Sequence, residues 1–299
     1  MWAAINALSY QPNRVARRLR RPGHEMWALI VPDVENRFFT SVARGVEEVA
    51  NEYGITVFIG NTDNDTARLN RYIATAIAEQ VAGIILAPSS PADDISAVLA
   101  SSTPIVTVDQ TLENQALTTV MTDHYAGGRL AGQTLRSHGY RRIGVIAGPQ
   151  LLPEWNTRLD GLVDGYGAGG DAIAVERGDN KVSGGRDAMR RLLDANPGLD
   201  ALFVTNNLMT IGALREIDYR GLRVPHDIGV VGYDLNSQEW AGSIPVPTVN
   251  QDPRRIGEVA ATTLLGMVED PALRAEGARV ILLDPHLEHN EELPAPSPR

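Results

Sequence analysis

The 299 residues contain no cysteine. This absence excludes a disulfide framework, thiolate metal sites and cysteine catalysis, and it fits a reducing cytoplasm. The sequence also has no apolar run near the roughly 18 residues that span a bilayer. No apolar core follows the basic residues at its start, as a secretory signal would require. These absences predict a cytoplasmic protein that does not interact with membranes.

The sequence lacks the common motifs of catalysis as well. It has no G-x-S-x-G nucleophile elbow, no G-x-x-x-x-G-K-[ST] phosphate loop and no strand that leads into G-x-G-x-x-G. Among the six histidines, only His286 and His289 have a metal-like spacing. They lie near the C-terminus without a third ligand nearby, and we interpret them as a solvated pair. We therefore predict a binding protein and not an enzyme, with no metal and no cofactor.

Positive charge is concentrated at the start of the chain. Residues 1–21 hold five arginines and no acidic residue, giving +5, while the whole chain carries −10, so that residues 22–299 carry −15. An acidic body is repelled by nucleic acid, whereas a basic arm is attracted to it. The helical pattern at Arg14–Arg21 is too short to be stable alone in water. It is either a disordered linker or a helix that forms only on DNA.

Short apolar runs alternate with longer helical patterns from residue 26 onward. Because these runs are nearly continuous in apolar residues, they predict parallel strands that are buried on both faces. The predicted strands are Trp27–Val31, Ile55–Ile59, Gly83–Ala87, Ile105–Val108, Ile143–Ala147, Ala201–Thr205, Ile228–Tyr233, Thr248–Asn250 and Arg279–Leu283. The alternation predicts right-handed crossovers and an α/β fold of two doubly wound parallel-sheet lobes. The glycines within 161–170 are interpreted as a loose connector.

The length is about twice that of an average domain, and the strands fall into two groups. We predict a first lobe over residues 24–140 and 247–270, and a second lobe over 141–246 and 271–290. The elements after residue 246 are too few for a third lobe, so we expect them to cross back and complete both lobes. The last residues, 291–299, are rich in proline and predict a disordered tail.

Polar residues, mostly Asp, Asn and Ser, follow most of the predicted strands. Any α/β protein is enriched in such residues there, because they begin turns and cap helices. In open α/β sheets, however, ligands bind beyond the carboxyl ends of the strands. For a single residue the turn or cap is the better interpretation. The whole set predicts a polar ligand cleft between two lobes that face each other.

Four segments, in order along the chain, resemble the lactose/galactose repressor (LacI/GalR) family. Residues 8–20, LSYQPNRVARRLR, are similar to the LGYxPNxxARxLR hinge of that family, and residues 30–39, IVPDVENRFF, to its IVPDxxNPFF segment. Residues 221–234, GLRVPHDIGVVGYD, resemble GlxVPxDvsVvGyDd, and residues 247–251, PTVNQ, resemble PLTTVxQ. Each match is weak alone, and together they are highly specific.

The resemblance implies a periplasmic-binding-protein-like core of type I that dimerises side by side. It also implies a small effector in the cleft, often a sugar or a related metabolite. Carried over residue by residue, effector binding falls on Asn36, Phe38, Phe39, Asp109, Gln110, Asp123, Arg158, Asn180, Asn206, Asp234 and Gln251. A helix cap explains Asp123 equally well. Aromatic faces combined with amides and charged groups suit a polyol.

Two positions depart from the family pattern in this region. Arg37 stands where the family usually has Pro, and Gln110 stands where it often has Arg. Together they shift a positive charge across the expected cleft, so the identity of the effector stays open.

The resemblance further implies an effector-responsive transcriptional repressor that binds operator DNA as a homodimer. Contacts of its hinge helix with DNA fall on Asn13, Ala16, Arg17, Leu19 and Arg20. The sequence begins inside the last helix of the family's helix-turn-helix headpiece, so residues 1–23 are interpreted as a remnant of headpiece and hinge.

In the implied mechanism, the effector favours one relative orientation of the lobes and thereby sets the spacing of the two hinge helices on the operator. One alternative is a sugar-binding protein that feeds a transporter, which shares the fold. Another is an α/β enzyme that modifies nucleotides or sugars.

Overall fold

The structure is a computed structural model that describes residues 26–113, 115–149, 153–167, 172–235, 246–275, 277–289 and 293. Its strands are β1 (Met26–Val31), β2 (Thr56–Asn61), β3 (Gly83–Leu86), β4 (Ile105–Val108), β5 (Thr118–Thr122), β6 (Arg142–Ala147), β7 (Ala172–Arg177), β8 (Ala201–Val204), β9 (Gly229–Tyr233), β10 (Thr248–Asn250), β11 (Val280–Leu283) and β12 (His286–Glu288). Its helices are α1 (Arg37–Glu52), α2 (Thr66–Ala78), α3 (Ser96–Leu99), α4 (His124–Ser137), α5 (Pro153–Tyr166), α6 (Val182–Ala195), α7 (Asn207–Tyr219), α8 (Pro253–Glu269) and α9 (Pro271–Ala275). The predicted DNA-binding residues Asn13, Ala16, Arg17, Leu19 and Arg20 lie outside the described residues.

The described strands form two sheets of six strands with matching topologies. The order is β11-β5-β4-β3-β1-β2 in the first sheet and β12-β10-β9-β8-β6-β7 in the second. Strands β2, β1, β3 and β4 run parallel to one another, and so do β7, β6, β8, β9 and β10. Strand β12 pairs with β10 in the antiparallel direction. The predicted α/β fold of two parallel-sheet lobes is confirmed.

The strands at the centre of each sheet are the ones that carry continuous apolar runs. Strands β3, β4, β8 and β9 are buried at every position, because helices cover both faces of a doubly wound sheet. The outer strand β11 leaves alternate residues exposed, and the outer strand β2 leaves Thr56 and Ile59 exposed. The apolar pattern of the sequence therefore marks the interior of each sheet more clearly than its edges.

The chain divides into two compact units. The first contains the described residues up to Thr119 together with Gly257–Arg279, and the second contains Val120–Ile256 together with the described residues from Val280 on. This division differs from the predicted boundary at residue 140, because helix α4 packs within the second unit. Strand β5 crosses the division, and β11 pairs with β5 in the first sheet although its residues group with the second unit.

Helices α4 and α5 pack so closely that glycine is required where they touch. A Cβ atom on Gly128 of α4 would collide with the carbonyl oxygen of Arg158, and a Cβ atom on Gly161 of α5 would collide with the carbonyl oxygen of Tyr125. The interpretation of 161–170 as a loose connector is wrong for 161–166, because these residues belong to α5. The glycines there allow two backbones to approach, and they do not mark a flexible loop.

Candidate ligand site

The predicted effector residues lie in segments that follow the carboxyl ends of strands. The first unit holds Asn36, Phe38, Phe39, Asp109 and Gln110, and the second holds Asp123, Arg158, Asn180, Asn206, Asp234 and Gln251. Parallel strands bring their carboxyl ends to the same edge of a sheet, so the residues that follow β1 and β4 share one edge, and those that follow β6 to β10 share one edge of the other sheet. Asp123 follows β5, a strand of the first sheet. That the two sets share one cleft stays a prediction.

Helix α1 positions three of the predicted residues in the first unit. The side-chain oxygen of Asn36 accepts the backbone N–H of Phe38 at 3.0 Å and caps the helix. The rings of Phe38 and Phe39 meet edge to face, with centroids 5.0 Å apart. Phe38 is buried, whereas Phe39 is partly exposed and lines a groove beside β2. Of the two phenylalanine rings, only that of Phe39 has surface that remains exposed within this unit.

The turn after β4 holds the other two predicted residues of the first unit. Asp109 has a φ of 69°, in the left-handed region that Asp and Asn tolerate better than most residues. Gln110 is only 9% exposed, and none of the described groups hydrogen-bonds to its Oε1 atom. A buried acceptor without a donor is costly. The Oε1 atom of Gln110 is thus a candidate contact for a donor on a ligand.

Three predicted residues of the second unit sit in turns at helix starts. Asp123 caps α4 by accepting the backbone N–H of Ala126 at 2.9 Å, so the structure shows the cap that the sequence allowed. Asn206 caps α7 by accepting the N–H of Met209 at 3.0 Å. Asn180 has a φ of 62°, and its buried Oδ1 atom has no hydrogen-bond partner among the described residues. Asn180 therefore offers a second acceptor of the kind found at Gln110.

Arg158 is the centre of a buried polar cluster in the second unit. Its side chain projects from α5 and is 2% exposed. Its Nη1 donates to the carbonyl oxygen of Thr205 at 2.5 Å, and its Nη2 donates to Oε1 of Gln251 at 3.2 Å. Its Nε and Nη2 also face Nδ1 of His124, at 3.3 and 3.1 Å. The guanidinium lies over the ring of Tyr233, 3.9 Å from its centroid, a cation–π arrangement.

Gln251 connects this cluster to Asp234. The backbone N–H of Gln251 donates to Oδ1 of Asp234 at 2.9 Å, and the side-chain amide of Gln251 donates to Oδ2. Both carboxylate oxygens of Asp234 are thus held by a single residue. The structure therefore brings Arg158, Gln251 and Asp234 together as one network at the carboxyl ends of β8, β9 and β10.

The described residues contain no group of three or more His, Asp and Glu side chains that could hold a metal ion. None of the helices in the described ranges has the length and apolar character that crossing a bilayer requires.

Comparison with known proteins decides the family. A family model described as a periplasmic binding protein domain matches residues 27–270. The ribose operon repressor of Bacillus subtilis (strain 168) is 31% identical over 272 residues, which cover 91% of this chain and 82% of that protein. The chain belongs to the lactose/galactose repressor family.

Two solved structures share the fold of this repressor-family chain. The complex of the transcriptional regulator CelR with cellobiose has a TM-score of 0.78 at 29% identity, and the match covers 97% of this chain and 88% of that one. The Lac repressor dimer bound to operator and the anti-inducer ONPF has a TM-score of 0.85 at 24% identity, covering 98% and 88%. The curated relatives are transcriptional repressors, which confirms the prediction that the chain is not an enzyme.

Sequence reasoning about this repressor-family chain missed three residues that contact Arg158. His124, Thr205 and Tyr233 each stand next in the chain to a predicted residue. That adjacency at the carboxyl ends of strands was the signal that could have found them. His124 escaped notice because the histidines were considered only as metal ligands.

Arg177 was missed because its strand, β7, was not predicted. Its Nη1 donates to the carbonyl oxygen of Gly148 at 2.9 Å, and its Nη2 donates to Oδ1 of Asn156 at 2.9 Å. Arg177 therefore ties the end of β7 to the segment that follows β6 and to helix α5.

Proposed function

We propose that this protein is a transcriptional repressor whose effector is a small neutral sugar or a related polyol. The observation that carries the proposal is the buried network of Arg158, Gln251 and Asp234. A buried charge is costly unless it is paired, and here a carbonyl, an imidazole, an amide and an aromatic ring surround the guanidinium. Polar groups that are fixed in this way can distinguish a hydroxyl-bearing ligand from an analogue that lacks the hydroxyl.

Two unsatisfied acceptors support a ligand that is rich in hydroxyl groups. The Oε1 atom of Gln110 and the Oδ1 atom of Asn180 are buried, and neither has a hydrogen-bond partner among the described residues. A hydroxyl donates to such an acceptor, whereas a carboxylate or a phosphate at neutral pH brings further acceptors. The names of two of the relatives refer to ribose and to cellobiose, and this supports the same class of ligand.

The proposed effector contacts are the set that the family motifs predict. Within it, Asn36, Asp123 and Asn206 also cap helices, so each has a structural task besides any contact with a ligand. The relatives are repressors, and this favours a cytoplasmic regulator over a sugar-binding protein of a transporter.

We also propose that the basic arm couples effector binding to operator DNA. Five arginines in residues 1–21 precede a body with a net charge of −15. Phosphate contacts therefore fall to the arginines of the arm. The proposed DNA-binding residues are Asn13, Ala16, Arg17, Leu19 and Arg20. Coupling requires that the effector bind the two states of the protein with different affinity.

The proposed dimer uses a groove of about 350 Å³ in the first unit. The groove lies between α1 and β2 and is lined by Val31, Val34, Phe39, Thr40, Ala43, Arg44, Glu47, Val57 and Ile59. Strand β2 is an outer strand of its sheet, and Ile59 on it is 51% exposed. A two-fold contact requires a self-complementary surface. Arg44 and Glu47 place both signs of charge beside the apolar centre, which favours a second copy of this chain as the occupant.

A ligand screen tests the effector proposal. Thermal unfolding is followed with ribose, cellobiose and a panel of neutral and anionic metabolites, because a ligand that binds only the native state raises the melting temperature. Gln110→Met keeps the volume of the side chain and removes its acceptor. We expect the melting temperature of the ligand-free variant to match that of the wild type, and its affinity for the sugar to fall by about tenfold.

Two results would contradict the proposal. Stabilisation by anionic metabolites alone would exclude a neutral sugar. Unchanged sugar affinity in Gln110→Met would remove Gln110 from the site.

A further inference from the structure

His124 is a buried imidazole that faces a guanidinium. The Nε and Nη2 atoms of Arg158 lie 3.3 and 3.1 Å from Nδ1 of His124, and the imidazole is 3% exposed. A guanidinium has only donors, so Nδ1 has to be the acceptor, and the ring proton is on Nε2. A doubly protonated imidazole has no acceptor and carries a positive charge. The contact between His124 and Arg158 therefore exists only while His124 is neutral.

We propose that His124 is a positioning residue that fixes the guanidinium of Arg158, and that protonation of His124 releases it. The polar network of the second unit then opens as the pH falls. The consequence for effector affinity rests on the proposed function. The acid sensitivity of the network itself does not.

The direct contact with Arg158 and the position of His124 at a helix start both oppose its protonation. His124 is the first residue of α4, so it lies at the positive end of the helix dipole. The titratable and charged groups on the elements that face it are Arg158 on α5, Tyr233 and Asp234 at the end of β9, Asp123 before it in the chain, and His286 and Glu288 on β12. Asp123 accepts the N–H of Ala126, Asp234 accepts from Gln251, and His286 pairs with Glu288 at 3.3 Å. These carboxylates favour the charged imidazole through space, whereas the guanidinium of Arg158 opposes it by direct contact with Nδ1.

The sign of the pH dependence follows from proton uptake. A histidine in an unfolded chain binds a proton below a pH of about 6.5. The native state excludes that proton for as long as Nδ1 accepts from Arg158. The unfolded state then binds more protons than the native state, so the protein loses stability as the pH falls through this range. At higher pH neither the native nor the unfolded state binds the proton, so His124 no longer makes the stability depend on pH.

A matched set of variants tests the role of His124 without any ligand. His124→Asn places an oxygen acceptor near the position of Nδ1, and this acceptor does not titrate. His286→Asn removes an exposed histidine and serves as the control. Between pH 7.5 and 5.5, we expect the melting temperature of the wild type to fall by at least about 3 °C more than that of His124→Asn. His286→Asn should keep the wild-type decrease. Equal decreases in the wild type and His124→Asn would overturn the proposal.

A spectroscopic measurement on the wild type covers the case in which His124→Asn does not fold. In protein labelled with ¹⁵N-histidine, we expect the His124 ring to remain neutral, with its proton on Nε2, at a pH of about 6, where an exposed histidine is largely protonated. A doubly protonated His124 ring at this pH would overturn the proposal.

Binding of ribose and cellobiose at pH 7.5 separates this inference from the proposed function. For a sugar that binds the wild type, His124→Leu should weaken binding by about tenfold or more, and His124→Asn should restore it to within about threefold. If neither sugar binds and the pH profiles are as expected, the sugar proposal fails and the role of His124 stands. If a sugar binds and the two pH profiles coincide, the role of His124 fails and the sugar proposal stands.

Discussion

Two buried glutamines show how residues of one predicted site can differ in their task. Gln251 is 3% exposed, and it donates to Asp234 while accepting from Arg158. Gln110 is buried to a similar degree, yet its Oε1 atom has no hydrogen-bond partner in the described part of the chain. Gln251 therefore organises the protein itself, whereas Gln110 has an acceptor to offer to a ligand.

The same substitution at both glutamines should separate these tasks. Gln251→Met leaves Asp234 and Arg158 each without one partner, so we expect the free energy of unfolding to fall by about 1–3 kcal/mol. Gln110→Met removes an acceptor that has no hydrogen-bond partner among the described residues, so the stability of this variant should equal that of the wild type. Urea unfolding midpoints of the two variants measure the difference. Equal midpoints would contradict the assignment of Gln251 to the network.

The sequence predicts the residue types of the candidate site better than its contacts. Family motifs and the positions after strands point to Arg158, Asp234 and Gln251. The contacts themselves join His124 to Arg158 across 34 positions and Arg158 to Gln251 across 93. No local pattern encodes such contacts, because they depend on how strands that are distant in sequence are ordered in the sheet. His124 could be recognised as a partner of Arg158 only after the fold was known.

At the scale of elements, strands were predictable where helices cover both faces. The central strands β3, β4, β8 and β9 have apolar runs that match the predicted segments closely. Strand β5 was missed because three of its five residues are threonine, so it has no continuous apolar run. The buried hydroxyl of Thr119 forms a hydrogen bond with the hydroxyl of Thr107 at 2.7 Å. Strand β7 was missed because it is an outer strand with charged residues at its end. Periodicity alone therefore describes the middle of each sheet better than its margins.

The close contact of α4 with α5 leads to a prediction at this scale. A methyl group at position 128 meets the backbone of Arg158, so Gly128→Ala should force the helices apart and lower the free energy of unfolding by about 1–3 kcal/mol. Gly266→Ala is the matched control, because this glycine lies in α8 and its new Cβ would meet only a flexible leucine side chain. There the gain in helix propensity, up to about 1 kcal/mol, should dominate. Thermal and urea unfolding measure both changes. A free energy of unfolding in Gly128→Ala equal to that of the wild type would contradict the packing argument.

At the scale of the whole molecule, four short motifs in order predicted the family, and the length and the two groups of strands predicted the two-lobed fold. The division into units needed the structure. Residues 120–140 continue the strand and helix pattern of the first unit without a break in the sequence. They group with the second unit because α4 packs against α5. A boundary of this kind is set by tertiary packing, which strand and helix periodicity does not register.

The proposed dimer provides the test at this scale, through the two outer strands of the first sheet. Ile59 on β2 and Val280 on β11 are exposed to nearly the same extent, 51% and 53%. If two copies associate through the groove between α1 and β2, Ile59→Glu buries a charge twice in each dimer and should weaken association by about 30-fold or more. Val280→Glu introduces the same charge on the opposite outer strand and should leave association at the wild-type level. Sedimentation equilibrium over a range of concentrations measures both, and dissociation caused by Val280→Glu alone would assign the interface to β11 instead.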